Sequence, residues 1–240
     1  MWVPRLKGKP ELKFPDSKQK VQNSFLTYAY YSSDDFVAND FLISIVNGAI
    51  NHASANRIDY SGSKEISDVI NIFPGEHYRL LRALSSVLKS QLAIEVGTFR
   101  GYGSLALLNS LTTSRVVTYD VIKYPPDHLS VDFSNLDGQI ESRVINLIDE
   151  IDFASQTKTL SECDFIFIDG PKDGIFEYLL LDRLASVRYF RPKILVLDDI
   201  KFMNMIPLWR SIRNPKLDIS SFGHWSGTGL VDVREGLKIS

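Results

Sequence analysis

The chain has 240 residues, of which 44% are hydrophobic and 23% are charged, and its formal net charge is −2. These values are typical of a globular protein and exclude a largely disordered chain. The slight acidic balance argues against a general nucleic-acid-binding protein, which usually carries a strong basic excess. A single cysteine, Cys163, excludes an internal disulfide framework and any metal site built from several cysteines.

The sequence also bears on the cellular location of the protein. No apolar run approaches the roughly 18 residues of a membrane helix. The first residues, MWVPRLKGKP, are interrupted by Pro4, Arg5 and Lys7, unlike the apolar core of a signal peptide. We therefore expect a cytoplasmic protein that binds neither membranes nor nucleic acids. The sequence leaves the oligomeric state open, a homodimer included.

The first part of the chain differs in composition from the rest. Residues 1 to about 24 are basic and punctuated by prolines, which predicts an extended arm over the surface. Contact with a partner or an acidic substrate is the alternative interpretation of this arm. The stretch Phe41 to Ala53 looks helical, and His52 in it is interpreted as solvated or hydrogen-bonded, not catalytic. We assign residues 1–72 to an N-terminal arm and helical cap, and residues 73–240 to a second domain.

A glycine-rich turn follows the first predicted strand of that domain. Apolar residues at helical spacing predict a helix from Pro74, and Gln91 to Val96 reads as a strand. The strand continues directly into AIEVGTFRGYGS, Ala93 to Ser104, and then into a helical pattern. Such a turn lets backbone N–H groups approach a ligand closely. At the carboxyl edge of a parallel sheet it is where open α/β folds bind nucleotides; an ordinary strand–turn–helix corner is the alternative.

Strand and helix patterns then alternate to the end of the chain. The later apolar runs are bounded by charged residues and suit buried parallel strands. The alternation predicts an α/β fold with a doubly wound, mostly parallel sheet. Two final segments, KLDISSFGHW and TGLVDVR, predict an antiparallel C-terminal hairpin. The predicted strands after the first are Arg115 to Val121, Ser142 to Ile148, Cys163 to Asp169 and Lys193 to Asp199.

Asp120 closes the second strand about 20 residues beyond the glycine turn. A carboxylate there can accept hydrogen bonds from both ribose hydroxyls of a bound nucleoside. A strand-end acid that faces water is the alternative. The glycines follow G-x-x-x-G-x-G, not the dinucleotide pattern G-x-G-x-x-G, which favours S-adenosylmethionine over NAD(P).

Acidic residues and a lysine follow the two later strands. Asp169 and Lys172 come after one strand, and Asp198 and Asp199 end the other. Because these strand ends share one edge of the sheet, three carboxylates can converge there around a hard cation such as Mg²⁺, Ca²⁺ or Mn²⁺. Lys172 beside such a metal would be pushed toward its neutral form, as a general base requires. Solvated loop residues are the alternative.

Two further residues lie in the hairpin region. His224 and Trp225 are candidates for contact with an acceptor molecule. The favoured interpretation is that Trp225 packs in the core and His224 is exposed.

Four segments together resemble a known family. EVGTFRGYGS, VVTYDV, FIFIDGPKDG and LVLDDI are similar to the class I S-adenosylmethionine-dependent methyltransferases, specifically the cation-dependent catechol and caffeoyl-CoA type O-methyltransferases. The resemblance covers about Phe73 to Asp199 and the C-terminal hairpin. It implies a Rossmann-like methyltransferase fold and transfer of a methyl group from S-adenosylmethionine to a hydroxyl of a small molecule.

The resemblance also implies residue roles. Lys172 would be the base that deprotonates the acceptor hydroxyl, and a divalent cation, expected to be Mg²⁺, would be held by Asp169, Asp198 and Asp199. The cofactor would be bound by Glu95, Gly97, Gly101, Tyr102, Asp120 and Asp149, with Asp120 at the ribose and Asp149 near the adenine. Gly103 stands where the family often has serine, and Asp199 where it usually has asparagine. A non-catalytic nucleoside-binding module of the same fold, or an NAD(P)-dependent oxidoreductase, are the alternative functions.

Overall fold

The computed structural model describes residues 37–58, 60, 62–72, 75–124, 131–136, 138–188, 191–202 and 204–240. The predicted basic arm, residues 1–24, and the predicted helix start at Pro74 lie outside the described residues. The stretch Phe36–Ser240 forms one compact unit.

One sheet of seven strands organises the described residues, in the order β3-β2-β1-β4-β5-β7-β6. Strands β1 to β5 run parallel to one another, whereas β7 is antiparallel to both β5 and β6. This arrangement confirms the predicted α/β fold class with its antiparallel C-terminal pair. The strands are β1 (Leu92–Val96), β2 (Arg115–Asp120), β3 (Ile140–Val144), β4 (Phe165–Ile168), β5 (Ile194–Asp198), β6 (Lys216–Asp218) and β7 (Thr228–Asp232).

Helices cover both faces of the sheet. They are α1 (Asp40–Ala55), α2 (Lys64–Ile72), α3 (His77–Leu88), α4 (Tyr102–Leu108), α5 (Glu150–Glu162), α6 (Ile175–Ala185) and α7 (Met205–Ser211), with a 3₁₀ turn at Phe133–Asn135. Among the described residues we find no helix with the length and apolar character that a bilayer crossing needs.

Alternation along the strands divides the core into two layers. Ala93 and Phe165 face a layer shared with α1, α2, α3 and α4, whereas Ile94 and Ile166 face a layer shared with α5, α6 and α7. Successive strand side chains point to opposite faces, so fully apolar strands bury both. The two buried faces leave the strand ends as the accessible edges, and the carboxyl edge carries the candidate site.

Helix α1 belongs to the first of these layers. The Asn39 side chain caps it by accepting a hydrogen bond from the Leu42 N–H at 3.1 Å. The helix packs against α3. The predicted boundary between residues 72 and 73 stays a prediction, but α1 shares its core with the helices that follow that boundary.

Strand β3 is placed differently from its prediction. The sequence predicts Ser142 to Ile148, whereas the strand is Ile140–Val144. Its register pairs Val144 with Asp120, the last residue of β2, so the chain beyond Val144 has no parallel partner on that side. The apolar residues Ile145 and Leu147 instead line a cavity.

Candidate active site at the carboxyl edge of the sheet

The turn after β1 is held close to the end of β4. Gly97 donates a hydrogen bond to the Tyr119 carbonyl at 2.8 Å and has φ +102°, a conformation that favours glycine. A Cβ atom on Gly97 would lie 2.1 Å from the carbonyl oxygen of Asp169. Glycine is therefore required here both by the backbone conformation and by the close approach of the next strand end.

Substitution of Gly97 tests this close approach. We expect Gly97→Ala to lower the free energy of unfolding by more than the roughly 1–2 kcal/mol that a left-handed residue costs, because the clash adds to the strain. Gly138→Ala is the matched control, since Gly138 has φ +70° but no atom within 4 Å of an added Cβ. Urea unfolding of both variants measures the difference; equal losses would show that the contact with Asp169 contributes nothing.

Glu95 lies beneath the turn with only 2% of its surface exposed. Its carboxyl accepts hydrogen bonds from the hydroxyls of Ser104 and Thr118, the latter at 2.8 Å. Burial raises the pKa of Glu95 to about 8, although both hydrogen bonds act in the opposite direction. A Cβ on Gly103 would lie 2.0 Å from Oε1 of Glu95, which gives a steric reason for glycine at this position.

Asp120 orders the turn from the neighbouring strand. Its carboxylate accepts hydrogen bonds from the backbone N–H groups of Thr98 at 2.9 Å, Phe99 at 3.3 Å and Ile122 at 3.1 Å. Each carboxylate oxygen has more than one acceptor position, so these bonds leave capacity for a ligand. Asp120 also lines the cavity at this edge of the sheet.

A cavity of about 390 Å³ joins the two groups of predicted site residues. Its lining includes Gly97 and Asp120, assigned to the cofactor, as well as Asp169 and Lys172, assigned to catalysis and metal binding. Its volume lies in the range of small-molecule pockets. Apolar side chains complete the lining, among them Phe99, Val121, Ile122, Tyr124, Leu147 and Phe176.

Four predicted cofactor residues lie outside this lining: Glu95, described above, and Gly101, Tyr102 and Asp149. Gly101, with φ +83°, precedes α4, and the Tyr102 ring packs edge-on against Tyr78 at 5.8 Å between centroids. Asp149 caps α5 by accepting hydrogen bonds from the N–H groups of Ile151 and Asp152. Direct cofactor contact by these residues stays a prediction, and helix capping by itself accounts for Asp149.

Lys172 lies among the three predicted metal ligands. Its Nζ contacts Asp169 and lies 3.2 Å from Oδ2 of Asp199 and 4.0 Å from Oδ2 of Asp198. One oxygen from each carboxylate lies within 4.8 Å of the others. The structure thus brings together the four residues that the sequence places at this edge.

The protonation of Lys172 in this cluster differs from the expected neutral amine. Burial acts to lower the pKa of Lys172, but Asp169, Asp198 and Asp199 outweigh it and raise the pKa above its usual value. Burial and the charge of Asp198 raise the pKa of Asp169 despite the neighbouring ammonium. Without a further cation, Lys172 is therefore the counter-ion of the carboxylates. The sequence predicts a neutral lysine, which requires that a bound cation neutralise the carboxylates instead.

Backbone strain is concentrated around the cavity. Phe99, Lys172 and Asp199 have φ between +41° and +63°, although none is glycine. Such residues persist where surrounding contacts hold them, which is often at functional sites. Glu177 supplies such contacts, because its buried carboxylate accepts hydrogen bonds from the N–H groups of Lys172 at 2.8 Å and Gly174 at 3.1 Å. In the sequence, the Gly-x-x-Glu spacing at the start of α6 could have predicted this role of Glu177.

Two histidines join the cluster; the sequence named His224 only as a candidate for contact with an acceptor and gave His77 no role. His224 Nδ1 lies 2.9 Å from Oδ1 of Asp198 and 3.2 Å from Oδ1 of Asp199. Burial lowers the pKa of His224, but the two carboxylates outweigh this effect and raise it to about 9. Trp225 is 74% exposed. The interpretation of an exposed His224 and a packed Trp225 was therefore wrong for both residues, since Asp198 and Asp199 hold the histidine inward.

His77, the first residue of α3, approaches the same carboxylate. Its side chain is 2% exposed, and its Nδ1 lies 3.7 Å from Oδ1 of Asp198. Burial lowers the pKa of His77, although Asp198 acts to raise it. His77, Asp198 and His224 form a second group of side chains whose donor atoms lie within 4.8 Å of one another.

Comparison with known proteins gives structural similarity only. The chain matches no protein-family model and no curated protein sequence. A solved O-methyltransferase from Bacillus cereus in complex with SAH is 17% identical, with 86% of this chain and 96% of that chain covered and a TM-score of 0.43. A methyltransferase from Geobacter sulfurreducens is 15% identical, covering 85% and 98%, with a TM-score of 0.49.

An SAH-bound methyltransferase from Podospora anserina is 14% identical, with 92% of this chain and 98% of that chain covered and a TM-score of 0.48. With TM-scores below 0.5 and identities below 20%, these similarities carry no argument about this chain. The strand order, with β7 antiparallel between β5 and β6, decides the fold on its own. The predicted Rossmann-like methyltransferase fold is confirmed.

Proposed function

We propose that this protein is an S-adenosylmethionine-dependent O-methyltransferase that methylates a hydroxyl of a small molecule with the help of a divalent cation. One observation carries the proposal: a single cavity is lined both by Gly97 and Asp120 and by Asp169 and Lys172. A nucleoside bound at the first pair would thus share one cavity with a base at the second, as transfer between two bound molecules requires.

The cofactor end of the cavity offers polar and apolar contacts. Asp120 would accept hydrogen bonds from the ribose hydroxyls, and Gly97, which lines the cavity, would present only its backbone to the cofactor. Val121 and Ile122, which are 57% and 54% exposed, would cover the adenine. When bound, S-adenosylmethionine would supply the methyl group.

At the other end, Lys172 would take the proton of the acceptor hydroxyl. The carboxylates of Asp169, Asp198 and Asp199 suit an oxygen-preferring cation such as Mg²⁺ by their chemistry and their spacing within 4.8 Å. A cation held there would position an acceptor oxygen and lower its pKa. It would also neutralise the charges that raise the pKa of Lys172, so that this lysine is freed to act as the base.

Binding and turnover test the proposal in sequence. We expect calorimetry to detect S-adenosylmethionine or S-adenosylhomocysteine binding and no comparable binding of NAD or NADP. Labelled methyl transfer to a panel of catechols and sugar alcohols, with and without Mg²⁺, then tests the activity. Tight binding without transfer to any acceptor would favour the non-catalytic module, and preference for NAD(P) would favour the oxidoreductase.

Asp120 provides the sharper test of the cofactor site. We expect Asp120→Asn to weaken S-adenosylmethionine binding by about tenfold or more, because hydrogen bonds to a charged carboxylate are each worth about 1.5–3 kcal/mol. Asp164→Asn is the matched control: Asp164 likewise accepts from two backbone N–H groups, Gln91 at 2.8 Å and Leu92 at 3.3 Å, but at the other end of the strands. Equal affinities in the two variants would remove Asp120 from the site.

A further inference from the structure

His77 and His224 reach Asp198 from two separate parts of the chain. His77 begins α3, and His224 lies in the connection between β6 and β7. Both rings point to the same oxygen, with Nδ1 of His224 at 2.9 Å and Nδ1 of His77 at 3.7 Å from Oδ1 of Asp198. The ring centroids of the two histidines are 5.3 Å apart. Two imidazoles and a carboxylate thus surround one small volume.

The ring of His77 has a nitrogen without a hydrogen-bond partner. Within the described residues its buried Nδ1 makes no hydrogen bond, and the 3.7 Å to Asp198 is longer than a hydrogen bond. Buried polar atoms in native proteins are nearly always satisfied, so an unsatisfied one indicates a missing partner. The partner must fit between this nitrogen and Asp198.

Asp198 faces both the lysine and the two histidines. Its Oδ2 lies 4.0 Å from Nζ of Lys172, which also contacts Asp169 and Asp199. Nδ1 of His224 lies 2.9 Å from Oδ1 and 3.1 Å from Oδ2, and Nδ1 of His77 lies 3.7 Å from Oδ1. Oδ1 is thus the oxygen that both imidazoles approach, and the unsatisfied nitrogen lies on this side of the carboxylate.

We infer that His77, His224 and Oδ1 of Asp198 bind a divalent transition-metal ion, with Zn²⁺ as the ion that best suits these donors. Imidazole nitrogens favour Zn²⁺ and similar ions over Mg²⁺, which prefers oxygen ligands. Zinc holds nitrogen and oxygen ligands at about 2.0–2.2 Å, which places tetrahedral ligands about 3.4 Å apart. The observed separations of 2.9 and 3.7 Å need only small adjustments to reach this value.

The inferred site has three protein ligands. Catalytic zinc sites commonly have this number and leave a further position to water or substrate. The inference goes beyond the proposed function: it assigns a second cation site, which shares only Asp198 with the proposed site of Asp169, Asp198 and Asp199. Metal binding itself is measurable whether or not the protein transfers methyl groups.

Titration of the chelator-treated protein tests the site. We expect calorimetry to show Zn²⁺ binding at least 100-fold tighter than Mg²⁺ binding. His77→Gln and His224→Gln should each weaken Zn²⁺ binding by 10- to 100-fold, whereas Asp169→Asn should retain it. His52→Gln is the matched control, because His52 lies in α1 outside the cluster. With Co²⁺ as a probe, the visible ligand-field bands should be altered in the two cluster variants and unchanged in the control.

These measurements distinguish zinc binding at the two histidines from zinc binding at the three carboxylates. Unchanged Zn²⁺ affinity in folded His224→Gln, or its loss in Asp169→Asn, would overturn the histidine site in favour of the three carboxylates. Because His77 is buried, circular dichroism must first show that His77→Gln folds; His224→Gln, which lies nearer the surface, decides the matter if it does not. S-adenosylmethionine binding is measured on the same samples, so zinc binding without cofactor binding would refute the proposed function and leave this inference standing.

Discussion

Lys172→Met is expected to lower the rate of methyl transfer by about 10²- to 10⁴-fold, the usual contribution of a positioned general base. Binding of S-adenosylmethionine should persist, because the proposed cofactor contacts come from Gly97 and Asp120. Methionine is an unbranched side chain close in length to the aliphatic part of lysine and has no amine. Full transfer activity in this variant would exclude Lys172 as the base.

The same substitution has a second expected effect, on stability. Removing the ammonium leaves Asp169, Asp198 and Asp199 with less positive charge around them, and removal of one partner of a buried ion pair commonly costs about 3–5 kcal/mol. A divalent cation bound to these carboxylates would replace the lost charge and stabilise the folded state. We therefore expect a lower melting temperature for Lys172→Met and a larger recovery on addition of a divalent cation than in the unmodified protein.

Lys193→Met is the matched control for both effects. Lys193 Nζ donates to the Leu88 carbonyl at 3.2 Å and lies 3.5 Å from Asp164, and its side chain is 40% exposed. It is thus a lysine paired with a single carboxylate on the same sheet. We expect little loss of stability, unchanged methyl transfer and no rescue by cations; cation rescue in both variants would indicate a non-specific effect.

The fold could be predicted because its strands are fully apolar. The cores of β4 and β5 are continuous apolar runs followed by acids, and only a central position in a parallel sheet buries both faces of such runs. Helices α2, α5 and α7 were not predicted. In α5 the buried positions include Gln156 beside Phe153 and Leu160, so the apolar periodicity is weak and tertiary packing decides the helix.

The site was predictable wherever a strand end fixes a residue. Asp120 and Asp198 end strands, and Asp169 follows β4, so the parallel sheet brings them to one edge. His77 and His224 could not be found in this way, because the start of a helix and a hairpin connection are brought to Asp198 only by the packing of α3 and by the antiparallel β7. Glu177 acts through the backbone of the loop, which leaves little trace in the sequence beyond its spacing from Gly174.

Stability should also depend on pH through Glu95. Because its pKa is raised from 4.5 to about 8 in the folded protein, the folded state holds a proton that the unfolded state releases above pH 4.5. The favourable contribution is therefore complete below pH 4.5 and is lost as the pH rises to 8. Integrated over that window, the loss amounts to roughly 3–5 kcal/mol.

Glu95→Gln isolates this effect, because an amide oxygen can still accept the hydrogen bonds of Ser104 and Thr118 but does not titrate. Denaturant unfolding should show similar stability of the two proteins near pH 5 and an increasing advantage of Glu95→Gln toward pH 8. Glu141→Gln is the control: Arg143 and Arg115 lower the pKa of Glu141 to about 2, so its contribution changes only below pH 4.5. Parallel pH curves for Glu95→Gln and the unmodified protein would mean that Glu95 is ionised throughout, and that the hydroxyls of Ser104 and Thr118 outweigh its burial.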